Sequence, residues 1–301
     1  MPPLSSASVT TAPALEARRA RRDALAGVAF VAPAVLWLLL FFAAPLVVMV
    51  TISLSPSDQD GAAGGVLSLG NYRAFFAENA YVQALWNSVV TTATVTAVSL
   101  LLAYPLALTI ATRLPKRLQR IALTLAILPF WTSYVVRSYA WLLALAPTGV
   151  VNRTLLALGL IQTPLRLAYN AGATDLGFVH FFIMLNTLTI YASLVQINPR
   201  YALAARDLGA SAFRAFLSVT LPLSVPGIAV GAFLTVVLCI GDYVTPQILG
   251  GFRGLLLPQV IMMQIQRRLD LPMASAMSLL LTLVVALVYL ALQRWLRTAK
   301  L

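Results

Sequence analysis

The amino-acid sequence predicts an all-α membrane protein with six transmembrane helices. Three observations carry that reading. Charged residues make up only 10% of the chain and hydrophobic types 60%, too few charges to cover a water-soluble protein, where roughly 25% is usual. Six segments are apolar over or near the roughly 20 residues that a helix needs to cross the hydrocarbon core. The basic residues gather on alternate connections between those segments, as positive-inside topology requires.

Residues 1–23 read as a disordered, basic cytosolic tail. Met1 to Ala14 is rich in Ser, Thr, Ala and Pro, and Arg18, Arg19, Arg21 and Arg22 follow. A basic stretch before an apolar one resembles a signal peptide. The uncharged run from Ala24 to Pro56 exceeds the roughly 7–15 residues of a cleavable core, so it reads as an uncleaved first span. The membrane domain covers 24–297, with spans predicted at 26–52, 84–112, 120–145, 176–197, 217–245 and 272–293. Arg137 interrupts the third. Leu221-Pro222 and Pro226-Gly227 are expected to interrupt the fifth. Of the connections, 53–83 is long and Gly-tipped, 113–120 is short and basic, 147–175 is long, and 246–271 is Gly-rich. The connection 198–218 reads as helix rather than loop.

With the N-terminus in the cytosol, the inner segments carry 14 basic and 3 acidic residues, a net +11. The outer segments carry the other 7 basic and 6 acidic residues, a net +1. Both termini are therefore expected in the cytosol of a multi-pass protein of the bacterial inner membrane. The same topology accounts for the net charge of +12, and without a basic stripe or aromatic platform no nucleic-acid partner is expected. The single cysteine, Cys239, reads as a small buried hydrophobe. The single histidine, His180, reads as a satisfied intramembrane polar group, since one imidazole builds no metal cluster. No catalytic or metal-ligating residue is predicted. The only lysines, Lys116 and Lys300, follow no Gly-rich loop, which excludes a phosphate-cradling nucleotide site.

The connection between the fourth and fifth spans is the most informative stretch. Asn198 can cap a helix and Pro199 suits its first turn. Tyr201, Leu203, Ala204, Ala205, Arg206, Asp207 and Leu208 favour two helical turns, and Gly209 permits a left-handed stop before Ala210 and Ser211. A short helix held at the membrane face by two spans is a lever that a partner could move. An ordinary interfacial helix is the other reading of these residues.

This segment resembles the EAA loop of ABC importer permeases, which runs Glu-Ala-Ala, three residues, Gly, nine residues, Ile, one residue, Leu-Pro. Here Ala204-Ala205, Gly209, Val219 and Leu221-Pro222 fall at that spacing, and Leu203 stands where Glu is usual. The resemblance implies a type I, MetI-like importer fold in which 201–211 form a coupling helix docked on a cytosolic ABC ATPase dimer. It also implies a second homologous permease subunit and a periplasmic or extracellular solute-binding protein. The chain itself then holds no cofactor and is no enzyme; ATP and Mg²⁺ belong to the partner ATPase.

Leu128-Pro129-Phe130-Trp131-Thr132-Ser133-Tyr134, Arg137-Ser138-Tyr139-Ala140-Trp141 and Gly241-Asp242-Tyr243-Val244-Thr245-Pro246 are most similar to the spermidine/putrescine-type branch. Relatives carrying opines, amino-acid-like solutes or iron share these motifs. The pathway candidates are Asp242, Tyr243, Trp131, Ser133, Tyr134 and Arg137. Asp242 is expected near the outer end of the fifth span, where a carboxylate either meets a substrate ammonium, pairs with Arg137 or caps a helix. Aromatic faces attract organic cations, although an interfacial belt explains Trp141 as well. Arg137 reads more readily as a boundary charge than as a pore charge. Two other classes compete. An ion-driven secondary transporter would show helix breaks at matching positions in two halves, and an intramembrane hydrolase would need a nucleophile–base pair.

Overall fold

The computed structural model describes residue 27 and residues 29–56, 67–251 and 254–298. The basic tail and the Gly61–Gly65 tip lie outside the described residues. Among the described residues every regular element is helical. In chain order the helices are α1 Ala29–Ser53, α2 Gly70–Ala77, α3 Asn79–Arg113, α4 Lys116–Ile127, α5 Tyr134–Leu145, α6 Val150–Ala157, α7 Ala171–Leu194, α8 Pro199–Asp207, α9 Ala212–Ile240, α10 Val244–Leu249, α11 Leu257–Met263 and α12 Leu271–Thr298.

Six spans result, and four follow the expected boundaries with shifts of a few residues. α3 begins well ahead of the predicted 84. Part of the expected 53–83 loop is also helical, because Asn71 binds α2 to the end of α1. Its Nδ2 donates to the carbonyls of Ser53 (2.9 Å) and Ser55 (2.8 Å). The fifth span ends at Ile240 rather than 245, so Asp242 lies in the turn that follows and not within the helix. Nor is that span broken at Pro226-Gly227; the helix Leu221–Ile240 runs through both.

The third span is built of two helices rather than one. By length and apolarity alone, 134–157 would qualify as a crossing, but the turn between Leu145 and Val150 splits it. Contacts along α7 instead place the crossing on 116–145. At one end of α7, the Tyr191 hydroxyl donates to Gln119 Oε1 (3.4 Å). Midway, Phe181 meets the rings of Phe130 (4.8 Å) and Tyr134 (5.1 Å). At the other end Leu145 packs with Ala173. The crossing is thus α4 plus α5, and it breaks at the 3-10 turn Leu128–Trp131 and at Thr132–Ser133, not at Arg137. Pro129 has no N–H to give an α-helical ladder, which explains the change of winding there.

The core is α3, α7 and α9, and the contacts of α7 with the other two are the most extensive among the described residues. Small residues make this possible. The buried positions of α3 recur every three or four residues as Ala84, Ser88, Thr92, Val95, Ser99, Ala103, Ala107 and Ile110, one narrow stripe of a 3.6-residue helix. On α9, Gly227 and Gly231 stand one turn apart against α7. This is the small-xxx-small pattern that lets membrane helices approach closely where lipid supplies no hydrophobic drive. A Cβ on Gly227 would come within 2.5 Å of Ser193 Cβ and 2.7 Å of the Thr189 carbonyl oxygen.

Between these helices sits Asn186, fully buried. Its Nδ2 donates to Ser99 Oγ on α3 (3.0 Å), Thr235 Oγ1 on α9 (3.0 Å) and the Phe182 carbonyl (2.9 Å). α1 packs along α12 outside this core. Gly227→Ala should destabilise the protein by about 1–3 kcal/mol, the usual cost of overpacking against a backbone that cannot retreat. The melting temperature in detergent measures it. Gly241→Ala, with no contact nearer than 3.6 Å for the added carbon, serves as the control.

Candidate functional site

Two places carry the chemistry that the sequence singles out. The first is the connection around α8. Asn198 Oδ1 accepts from the Arg200 amide (3.0 Å) and caps the helix. Gly209 ends it at φ +91°, and the Ala210 amide turns back onto the Ala205 carbonyl (3.0 Å). This is the left-handed stop that glycine adopts without steric cost. Ser211 Oγ then accepts from the Arg214 amide (3.2 Å) and starts α9.

No residue of α8 is buried. Tyr201, Leu203, Ala204, Arg206, Asp207 and Leu208 are all exposed, and Ala205 and Ala210 are half-buried. Leu208 is 90% exposed and Leu203 54%. These apolar side chains protrude from the end of the bundle that also carries Arg113, Lys116, Arg200 and Arg214. The sequence therefore brings its predicted coupling residues onto one projecting loop.

Near its start α9 contains a π-helical turn, Phe216–Thr220, in which the Leu221 amide reaches the Phe216 carbonyl five residues back. Pro222 follows and has no amide to donate, so the α-helical ladder is interrupted at this point. Phe216 packs edge-on against Tyr104 at 5.7 Å, and Tyr104 hydrogen-bonds Ser224 Oγ at 2.9 Å. A groove of about 430 Å³, lined by Thr109 and Arg113 of α3 and by Ala202 and Arg206 of α8, separates the two helices.

The second place lies inside the membrane span. The Arg137 guanidinium is held between two aromatic faces, 4.5 Å from the Tyr134 ring centroid and 4.4 Å from that of Phe181. It is 8% exposed, and its Nη1 has no hydrogen-bond partner. Phe181 is near the middle of α7, so Arg137 is a mid-depth charge and not the boundary residue expected. Cation–π contact is what an aromatic setting offers a buried cation. Tyr134 and Arg137 are thus brought together. Ser133 is exposed at the start of α5 and Trp131 is 86% exposed, apart from the group.

Asp242 takes the capping role. Its Oδ1 accepts from the amides of Val244 (2.7 Å) and Thr245 (3.3 Å), and its Oδ2 accepts from the Thr245 hydroxyl (2.6 Å). No ion pair joins it to Arg137 among the described residues. α10, which it caps, packs on α5, so the two charges belong to adjoining elements. Tyr243 beside it is 39% exposed. His180 accepts from Trp141 Nε1 through Nδ1 (3.2 Å), the satisfied polar group expected. Cys239 is buried, as expected of a small hydrophobe.

Sequence reasoning missed Asn186, the Gly227/Gly231 pair and the π-turn. It also missed Asn152, whose amide joins the Ala146 and Leu165 carbonyls and the Leu165 amide. Glycines four apart on an apolar helix were a readable signal. The asparagines carried none, because their partners lie far away in sequence.

A profile of the family "Binding-protein-dependent transport system inner membrane component" matches residues 99–299. The chain belongs to that family. It is similar to the Escherichia coli spermidine/putrescine transport system permease protein PotB, at 32% identity over 86% of this chain and 93% of PotB. It is also similar to the E. coli inner membrane ABC transporter permease protein YdcU, at 32% identity over 75% and 74% of the two chains. A crystal structure of a bacterial ABC transporter that imports alginate superposes with a TM-score of 0.73 over 93% of this chain and 98% of the other, at 19% identity. The fold is therefore that of an ABC importer permease.

Replacing Asp242 separates its capping role from any role of its charge. Asp242→Asn keeps an acceptor for the α10 amides and should leave the melting temperature nearly unchanged. Asp242→Ala should cost about 1 kcal/mol, seen as a lower melting temperature.

Proposed function

We propose that this permease carries a polyamine of the putrescine/spermidine class across the bacterial inner membrane, driven by an ATPase dimer that docks on α8. A second permease subunit completes the pathway, and a solute-binding protein delivers the solute at the opposite face. Both termini lie in the cytosol, on the side of the α8 loop.

One observation supports the coupling assignment above the rest: an exposed helix with apolar side chains at Tyr201 and Leu203, stopped by Gly209, at the spacing of the EAA loop. A groove in an ATPase can take Tyr201, Leu203 and Leu208 as anchors, and ATP-driven closure of the two ATPases then pulls the coupling helices of the two permeases together. Leu203 in place of the usual Glu makes this contact apolar rather than ionic. The polyamine assignment draws on the similarity to PotB and on the Tyr134, Trp131 and Asp242 motifs.

Proteoliposomes holding the permease with its ATPase, second permease and binding protein should take up putrescine only with ATP on the ATPase side. Uptake driven by a proton or sodium gradient without ATP would overturn the assignment. Gly209→Val places a β-branched residue at φ +91°, a cost of roughly 1–2 kcal/mol or more confined to the loop. It should leave assembly intact and lower solute-stimulated ATPase activity and uptake together. Ala205→Trp should do the same by obstructing the docking face.

A further inference from the structure

A pocket of about 480 Å³ lies at the end of α3 remote from Arg113 and the α8 loop. Tyr81, Gln83 and Asn87 of α3 form one side of it. Gln264 and Arg268 form another; they are the two ends of a π-helical turn, Gln264–Arg268, that continues α11. The depth of the pocket follows from α3. Val95 packs with Phe182 near the middle of α7, and Tyr81 stands fourteen residues ahead of Val95, about 21 Å at the helical rise. The hydrocarbon core reaches only about 15 Å from the bilayer centre, and the headgroups occupy the next few ångströms. The pocket is therefore at headgroup level. Val82 and Trp86 of the adjoining face of α3 are 38% and 63% exposed, and an exposed tryptophan suits the membrane–water interface.

The polar groups of the pocket are incompletely paired. Gln264 is 2% exposed; its Nε2 donates to the Tyr81 hydroxyl (2.7 Å), but its Oε1 has no partner. The same hydroxyl accepts from Arg268 Nη1 (3.1 Å). A tyrosine oxygen that accepts twice still has its own proton to donate, and no acceptor takes that proton among the described residues. Arg268 has further N–H groups to offer, and no described carboxylate pairs with it. Two donors, one of them charged, thus stand beside one buried acceptor.

We propose that this pocket binds the headgroup of a phosphatidylethanolamine from the surrounding bilayer. The phosphate accepts from the Arg268 guanidinium and the Tyr81 hydroxyl, and the ammonium donates to Gln264 Oε1. Hydrogen bonds with one ionised partner are the stronger kind, and this headgroup makes them at both ends. Phosphatidylglycerol would bring only a neutral hydroxyl to Gln264. A free polyamine would meet the like charge of Arg268. Ala84 and Met263, also in the lining, offer carbon to the glycerol and the first acyl carbons. The assignment depends on neither the solute nor the ATPase.

The permease complex, stripped of lipid in detergent, can be titrated with dilauroyl phosphatidylethanolamine, phosphatidylcholine and phosphatidylglycerol. Native mass spectrometry then reads the affinity of the tightest-held lipid. Phosphatidylcholine has the phosphate but no N–H, so phosphatidylethanolamine should bind at least about tenfold more tightly. Arg268→Gln should weaken phosphatidylethanolamine by a similar factor, whereas Arg267→Gln, which removes the same charge from the exposed neighbour, should not. Gln264→Met should abolish the preference over phosphatidylcholine. Tyr81→Phe, which keeps the ring, should weaken both lipids and replaces that test if Gln264→Met does not assemble. Phosphatidylcholine or phosphatidylglycerol held as tightly as phosphatidylethanolamine, or equal losses in Arg267→Gln and Arg268→Gln, would overturn the proposal.

Discussion

The Asn186 amide holds this molecule together in a solvent that cannot do so. In lipid, helices gain little by hiding apolar surface from one another, so close packing and hydrogen bonds must supply the association. Asn186 does both. Its NH₂ group ties α7 to Ser99 and Thr235 on two other helices. Its Oδ1 has no N–H or O–H donor and lies against Gly231, where a Cβ would collide with it. The glycine therefore presents a Cα hydrogen to that oxygen, a weak but real partner. Close approach at Gly227 and Gly231 and the polar clasp at Asn186 depend on each other. Larger residues would separate the helices and break the bonds.

With α3, α7 and α9 joined this way, the functional parts hang from a stiff centre. The α8 loop is the direct continuation of α7 and leads directly into α9, so a force on α8 would act on both core helices. Its anchor to the third, α3, is local: Phe216 on Tyr104, and Tyr104 on Ser224. Beyond that anchor a groove leaves α8 room to move. The π-turn lies between α8 and the packed core, next to a proline that cannot complete the ladder. The third span belongs to the outside of this centre. It leans on α7 through Phe130, Tyr134 and Arg137 and is free of the clasp.

Much of this was legible before any coordinates. The apolar runs gave six spans, Gly209 gave the stop, and Asn198 gave the cap, because each depends on residues within a few positions of itself. Asp242 shows the limit. Its residue type and depth admitted substrate contact, an ion pair or a cap, and the helix α10 that it caps appears only once the fifth span is seen to end at Ile240. Arg137 shows the same limit. A charge in an apolar run reads as a boundary, until Phe181 and Tyr134 are found on either side of it.

The sequence by itself determined that this chain lives in a membrane, which connections carry the basic residues and where the α8 loop begins and ends. Those are sums over neighbouring residues: transfer of side chains into lipid, charge on short loops, and backbone preference at a glycine or a cap. Tertiary structure alone decided where the third span breaks, which asparagine clasps the core and which carboxylate is already occupied by its own helix. Each of these is a matter of pairing. A buried polar group is costly or stabilising according to what stands opposite it, and residues 99, 186 and 235 become opposite only when the chain has folded.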